Sequence, residues 1–193
     1  MRIGLIRHGE TDWNAQGLLQ GSTDIPLNER GLEQARDAAG LLRGAGWDRI
    51  LSSPLGRARH TAEIISEAAG LGPVGVVPEL IERSFGVLEG SSYWQADGSR
   101  LPLDHASVES IDSVQERVAA AIDAIEDEFP DSSTLVVAHG SVIRLFLDSV
   151  LVHRSPHISN LSLTILERPA AGGSRLVTLA NGYPLAAEMT RGG

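Results

Sequence analysis

Ile3-Gly4-Leu5-Ile6-Arg7-His8-Gly9-Glu10-Thr11 passes in one step from a short apolar run to a cation and an imidazole. The run has the length and composition of a buried strand, and residues 2–6 are assigned to one. Arg7 and His8 then stand at its carboxyl end, where open α/β sheets gather their ligands. A guanidinium beside a ring nitrogen is equipped to grip a phosphate and take its phosphoryl group. Leu135-Val136-Val137-Ala138 is the clearest buried strand of the chain, and it too runs directly into a histidine, His139. Two strands ending in imidazoles can bring them to one crevice.

The segments between these strands read as helices. Over residues 29–43, Leu32, Ala35, Ala39 and Leu42 share one helical face, with Asn28 as N-cap. Arg49-Ile50-Leu51 is a short strand, and Ser52-Ser53-Pro54 leads from it into a helix reaching Ala69. Pro54 suits that helix's first turn and Gly70 its end. Val74 to Val77 reads as another strand. Ile111, Val114, Val118, Ile122, Ile125 and Phe129 repeat at helical spacing after Ser110, and residues 141–150 look helical. Leu161, Leu163 and Ile165, the Gly172-Gly173 turn, then Val177 and Leu179 read as a late hairpin. Strands alternating with helices predict an α/β fold, a three-layer α/β/α sandwich with a mostly parallel central sheet. No repeat, low-complexity run or linker interrupts the 193 residues, so one domain over residues 1–193 is expected.

Composition narrows the chemistry. The absence of cysteine excludes disulfides, cysteine-ligated zinc, iron–sulfur clusters and thiol catalysis. Residues 1–6 are too short for a secretion signal and no apolar run reaches membrane-spanning length, so a cytoplasmic protein without a membrane partner is expected. The net charge of −9 and the lack of a Lys/Arg cluster argue against nucleic acid. A chain this acidic needs local cations to hold a phosphate. The expected partner is a small-molecule phosphate ester; a homodimer is left open.

Leu5-Ile6-Arg7-His8-Gly9-Glu10-Thr11-Asp12-Trp13-Asn14 resembles the signature of the histidine phosphatase superfamily, the group containing cofactor-dependent phosphoglycerate mutases. Gln20-Gly21-Ser22-Thr23-Asp24-Ile25-Pro26-Leu27 is similar to that family's next loop, and Gly31 with Gln34-Ala35 to its first helix. Ser52-Ser53-Pro54-Leu55-Gly56-Arg57-Ala58 resembles the segment bearing its second phosphate-binding arginine. Glu82 to Gly90 resembles the stretch with its acid/base glutamate, and Val137 to Arg144 its second histidine motif. Four motifs in the family's order span nearly the whole chain and imply a phosphoglycerate mutase-like fold.

The resemblance implies a phosphohistidine on His8, phosphate held by Arg7, Arg57 and His139, and proton transfer by Glu82 rather than by the nearby Glu79 or Glu89. It also places Asn14, Gln20, Gly21 and Gly140 at the pocket. The residues fit that chemistry on their own terms: neutral imidazole attacks through a ring nitrogen, and its ordinary pKa of about 6.5 makes that form accessible. Planar guanidinium forks suit phosphate oxygens. A second nitrogen bond, to nearby backbone, is expected to fix the His8 ring, and a protonated His139 would add charge. The alternative for Glu82 is a surface ion pair with Arg83. No metal or other cofactor is implied. His60 and His105 read as solvated or core-edge residues, Trp13 as packing near the site, and Arg117 as a structural partner of Glu109. His153 and His157 have metal-pair spacing, but Pro156 opposes a continuous helix.

Three functions follow: a phosphatase acting through phosphohistidine, a phosphoglycerate mutase, or a silent binding member of the same fold. Family mutases insert a long basic stretch after the equivalent of Glu89-Gly90, whereas residues 91–110 here are short and contain one basic residue, Arg100. That favours hydrolysis. Arg83 matches a mutase-type position, keeping the mutase reading open or implying an acidic group on the substrate.

Overall fold

The computed structural model describes residues 1–168 and 176–180. Its centre is a six-stranded sheet of β1 (Arg2–Arg7), β2 (Arg49–Ser52), β3 (Gly75–Val76), β4 (Ser133–Ala138), β5 (Leu163–Glu167) and β6 (Leu176–Ala180). The spatial order is β3-β2-β4-β1-β5-β6. The first four strands are mutually parallel, whereas β5 runs antiparallel to β1 and β6 antiparallel to β5. The expected late hairpin is present as β5 and β6; its Gly172-Gly173 turn lies outside the described residues.

Among the described residues there are five α-helices, α1 (Asp12–Ala15), α2 (Glu29–Leu42), α3 (Gly56–Ala69), α4 (Ile111–Glu128) and α5 (Gly140–Val150), of which the last four pack on the sheet. Strand alternation sorts the core into two halves. Ile6, Ile50, Leu135 and Val137 face Ala39 and Leu42 of α2 and Ala58, Ala62 and Ile65 of α3. Ile3, Leu5, Val136 and Ala138 face Val114, Val118, Ile122 and Ile125 of α4 and Val142, Ile143 and Phe146 of α5. This is the expected α/β/α sandwich. No helix among the described residues is long and apolar enough to cross a membrane.

Local signals set most boundaries. Asn28 caps α2 by accepting from Gly31 N–H, and Ser110 caps α4 by accepting from Ser113 N–H. Gly70 ends α3 in the left-handed conformation. Two expectations are corrected. Pro54 is outside α3, which starts at Gly56 because the Asp24 carboxylate takes the Gly56 N–H at 2.6 Å in place of a local cap. Ile111 is 47% exposed, since as the first residue of α4 it precedes the buried stripe.

The site's location follows from the topology. Arg7 and Ala138 are register partners at the ends of adjacent parallel strands. From β1 the chain proceeds to α2 on one face, and from β4 to α5 on the other. The two connections diverge and leave a crevice between the strand ends, at the switch point where such sheets bind ligands.

Candidate active site

His8 and His139 meet in this crevice, their ring centroids 5.1 Å apart and their planes inclined at 60°. Both are almost wholly buried. His8 Nδ1 donates to the Gly9 carbonyl at 2.7 Å, which leaves Nε2 with a free lone pair. Burial, then the charges of Arg57 and Arg7, push the His8 imidazole well below its ordinary pKa, against the upward pull of the Gly9 carbonyl. That shift favours the neutral ring, whose Nε2 lone pair is available.

His139 is set by Ser53. Ser53 Oγ accepts the Leu55 N–H at 3.3 Å and lies 2.7 Å from His139 Nε2; in the tautomer that takes the Ser53 hydroxyl proton at Nε2, His139 Nδ1 carries the N–H. Burial, Arg57, His8 and Arg7, with Arg117 the weakest influence, push this ring down as well. The expectation that a protonated His139 contributes charge is thereby modified: in the free protein it offers a neutral N–H.

The two arginines are steered from one edge each. Arg7 Nη1 donates to Ile158 O at 2.8 Å. Arg57, 1% exposed, donates Nη1 to Thr23 O and Nη2 to Gly21 O, each at 2.8 Å. The Nε–H of each guanidinium is buried without a partner among the described residues, as is His139 Nδ1. An unpaired buried donor costs about 1–3 kcal/mol. These three lie on side chains that act electrostatically on one another and on His8, a candidate cradle for a tetrahedral anion. Gly140 borders it: a side-chain carbon there would lie 3.3 Å from Arg7 Nε.

Glu82 is 8% exposed and is not in a surface ion pair with Arg83. Its Oε1 accepts the backbone N–H of Arg83 at 2.8 Å and of Val142 at 3.3 Å, and Oε2 that of Ser141 at 3.3 Å. The carboxylate thus sits on the N-terminus of α5, the helix that follows His139. Its charge reaches Arg7 and Arg57. Burial, then the same carboxylate, raises the Tyr93 phenol above its ordinary pKa, although 43% of the residue is exposed. Arg83 is 7% exposed and donates Nε to Glu109 O at 2.8 Å; burial, then Arg144, lower its pKa. The Glu109 carboxylate is taken by Arg117 at 2.8 and 3.0 Å, as expected of that pair.

Other expected residues are bonded to the segments that carry the centre. Asn14 Oδ1 accepts from Thr11 N and from Asn160 Nδ2, both at 3.3 Å, and Gln20 Oε1 accepts from the Thr11 hydroxyl at 2.9 Å. Gly21 supplies the carbonyl that holds Arg57. Sequence reading passed over Ser53, Thr61, whose Oγ1 accepts the Gly9 N–H at 3.0 Å, and Asn160, which donates to His8 O at 2.8 Å. Each holds a site residue from far along the chain, with no local pattern to reveal it. His60, His105, His153 and His157 are exposed, and no three metal-binding side chains gather among the described residues.

Comparison with known proteins gives the family. The chain is 36% identical over 148 residues to "Uncharacterized phosphatase PhoE" of Bacillus subtilis, covering 77% of this chain and 76% of that protein. It is 36% identical over 166 residues to "Probable phosphoglycerate mutase GpmB" of Yersinia pestis, covering 78% and 75%. The solved structure of a phosphoserine phosphatase from Entamoeba histolytica in complex with 3-phosphoglyceric acid superimposes with a TM-score of 0.82 at 27% identity, over 96% of this chain and 98% of that one. The sequence profile of the histidine phosphatase superfamily (branch 1) matches residues 3–182. The chain belongs to that superfamily.

Proposed function

We propose that this protein hydrolyses phosphate monoesters through a phosphohistidine on His8, without a metal. The observation that carries the reading is the neutral, oriented His8 beside three buried unpaired donors, Arg7 Nε, Arg57 Nε and His139 Nδ1. In the first step His8 Nε2 attacks phosphorus, the P–O bond to the alcohol breaks, and the leaving oxygen takes a proton from Glu82, which enters this step as the carboxylic acid and leaves it as the carboxylate. The donors meet the charge on the equatorial oxygens. In the second step Glu82 takes a proton from water, water oxygen attacks phosphorus, and the P–N bond breaks. Phosphate and neutral His8 result.

A phosphatase is favoured over a mutase because residues 93–101 form an exposed loop closed by the Trp94–Arg100 bridge, rather than a basic clamp. One observation supports the mutase alternative or an acidic group on the substrate: buried Arg83 feels the charge of Arg144, and the Glu109 carboxylate is already engaged by Arg117. The phosphoserine and 3-phosphoglyceric acid named for the Entamoeba structure both carry a carboxylate, which fits the second choice. The test is release of phosphate from an aryl phosphate in excess chelator. Turnover is expected to persist in the parent protein and vanish in His8→Ala. Acid-quenched protein should carry acid-labile, base-stable label on His8. Interconversion of 2- and 3-phosphoglycerate with little free phosphate would instead establish the mutase.

A further inference from the structure

Glu89 takes no part in the reaction just described, yet its carboxylate accepts four hydrogen bonds beside the loop that holds Arg57. It accepts from Ser22 N at 3.0 Å, Thr23 N at 2.9 Å, Thr23 Oγ1 at 2.5 Å and Phe85 N at 3.1 Å. Burial alone would raise this carboxyl, but the Thr23 hydroxyl and the N–H groups of Ser22, Phe85 and Thr23 outweigh burial and hold it below its ordinary pKa. It is an anion at neutral pH that ties residues 22–23 to the segment ending in Glu89. The same loop presents Gly21 O and Thr23 O to the far edge of Arg57. Two oxygens on that edge fix the plane of a side chain with four free torsions and leave its Nε edge facing the anion cradle. Gly21 confirms how closely the parts fit. Its φ is +57°, and a side chain there would run into the Glu89 carboxylate.

We infer that Glu89 is a positioning residue: by anchoring Ser22 and Thr23 it sets the two carbonyls that aim Arg57 at the phosphate. The inference rests on Arg57 being a phosphate ligand, as proposed above. Glu89 does not touch the substrate, so its effect passes through Arg57. Its charge also reaches Arg57 directly. On charge alone, neutralising it would tighten anion binding; loss of aim predicts the reverse.

The test is a double-substitution cycle with Glu89→Gln and Arg57→Ala, reading kcat/KM for an aryl phosphate and calorimetric affinity for inorganic phosphate. Glu89→Gln is expected to lower kcat/KM by up to about 100-fold and to weaken phosphate binding. In the Arg57→Ala background the same change should alter either quantity by no more than about twofold. Thr23→Val, which removes one donor and keeps the backbone, should show the same dependence on Arg57 at smaller amplitude, and decides the matter if Glu89→Gln does not fold. Losses that multiply in the double variant, unchanged binding, or tighter binding would overturn the inference. Failure of the hydrolase reading shows separately, as absence of His8-dependent release by the parent protein, and the phosphate-binding cycle alone then decides the role of Glu89.

Discussion

His8 illustrates how much of the chemistry is settled by single atoms. Its Nδ1–H is committed to Gly9 O, so the attack proposed above is left to Nε2, and burial beside Arg57 and Arg7 disfavours protonation of that nitrogen. The sign for catalysis follows: protonation silences the nucleophile, and protonation occurs well below the ordinary imidazole pKa of about 6.5. The pH profile of kcat/KM for an aryl phosphate should therefore show no loss attributable to His8 as pH falls through 6.5. An acid limb at 6.5 that His139→Ala leaves in place would contradict this. Arg57 supplies one of three unpaired donors, and losing one transition-state donor costs about 3 kcal/mol. Arg57→Ala should accordingly lower kcat by about 10²-fold or more in steady-state assays.

At the scale of elements, the loop after β1 meets α2 backbone to backbone, and the Gln34 side chain of α2 also accepts the Glu10 N–H at 2.9 Å. A side chain at Gly9 would lie 2.6 Å from Gly31 O, and one at Gly31 would collide with Glu10 O. Helix propensity by itself would make Gly31→Ala stabilising by about 1 kcal/mol. Collision with main chain, which cannot turn aside as a long side chain can, reverses the sign and costs about 1–3 kcal/mol. Gly31→Ala should lower Tm and lower kcat, because the displaced segment is Gly9-Glu10, next to the nucleophile. A raised Tm would refute the close approach. The α3 start is a parallel case: Asp24 takes the Gly56 N–H at 2.6 Å and pairs with Arg57 at 3.6 Å, so one loop caps the helix and steadies its arginine.

For the whole molecule, the two buried imidazoles couple stability to pH. Unfolded, each binds a proton near pH 6.5; folded, each resists protonation to well below that value. The unfolded state thus holds more protons as pH falls below 6.5, and stability drops through that window toward the folded values. Two protons give a slope of at most about 2.7 kcal/mol per pH unit. Urea titrations at pH 7 and below should show this loss, and the His8→Ala, His139→Ala double variant should flatten it. A slope unchanged in that variant would mean other groups carry the dependence.

Much of this architecture is legible in the chain because its signals are local. Apolar runs of strand length, helical stripes behind Asn28 and Ser110, and histidines directly after two runs need only neighbours a few residues away, and they foretold the sandwich and the meeting of His8 with His139. Glu82, Glu79 and Glu89 were distinguished only by resemblance; packing separates the two that matter, placing Glu82 on the α5 N-terminus and Glu89 under the Arg57 loop. Pro54 was misplaced because the cap that defines α3 comes from Asp24, 32 residues earlier. Ser53, Thr61 and Asn160 were invisible for the same reason. Hydrogen bonds between distant segments have no sequence period, so which donor meets which acceptor is decided only when the layers close.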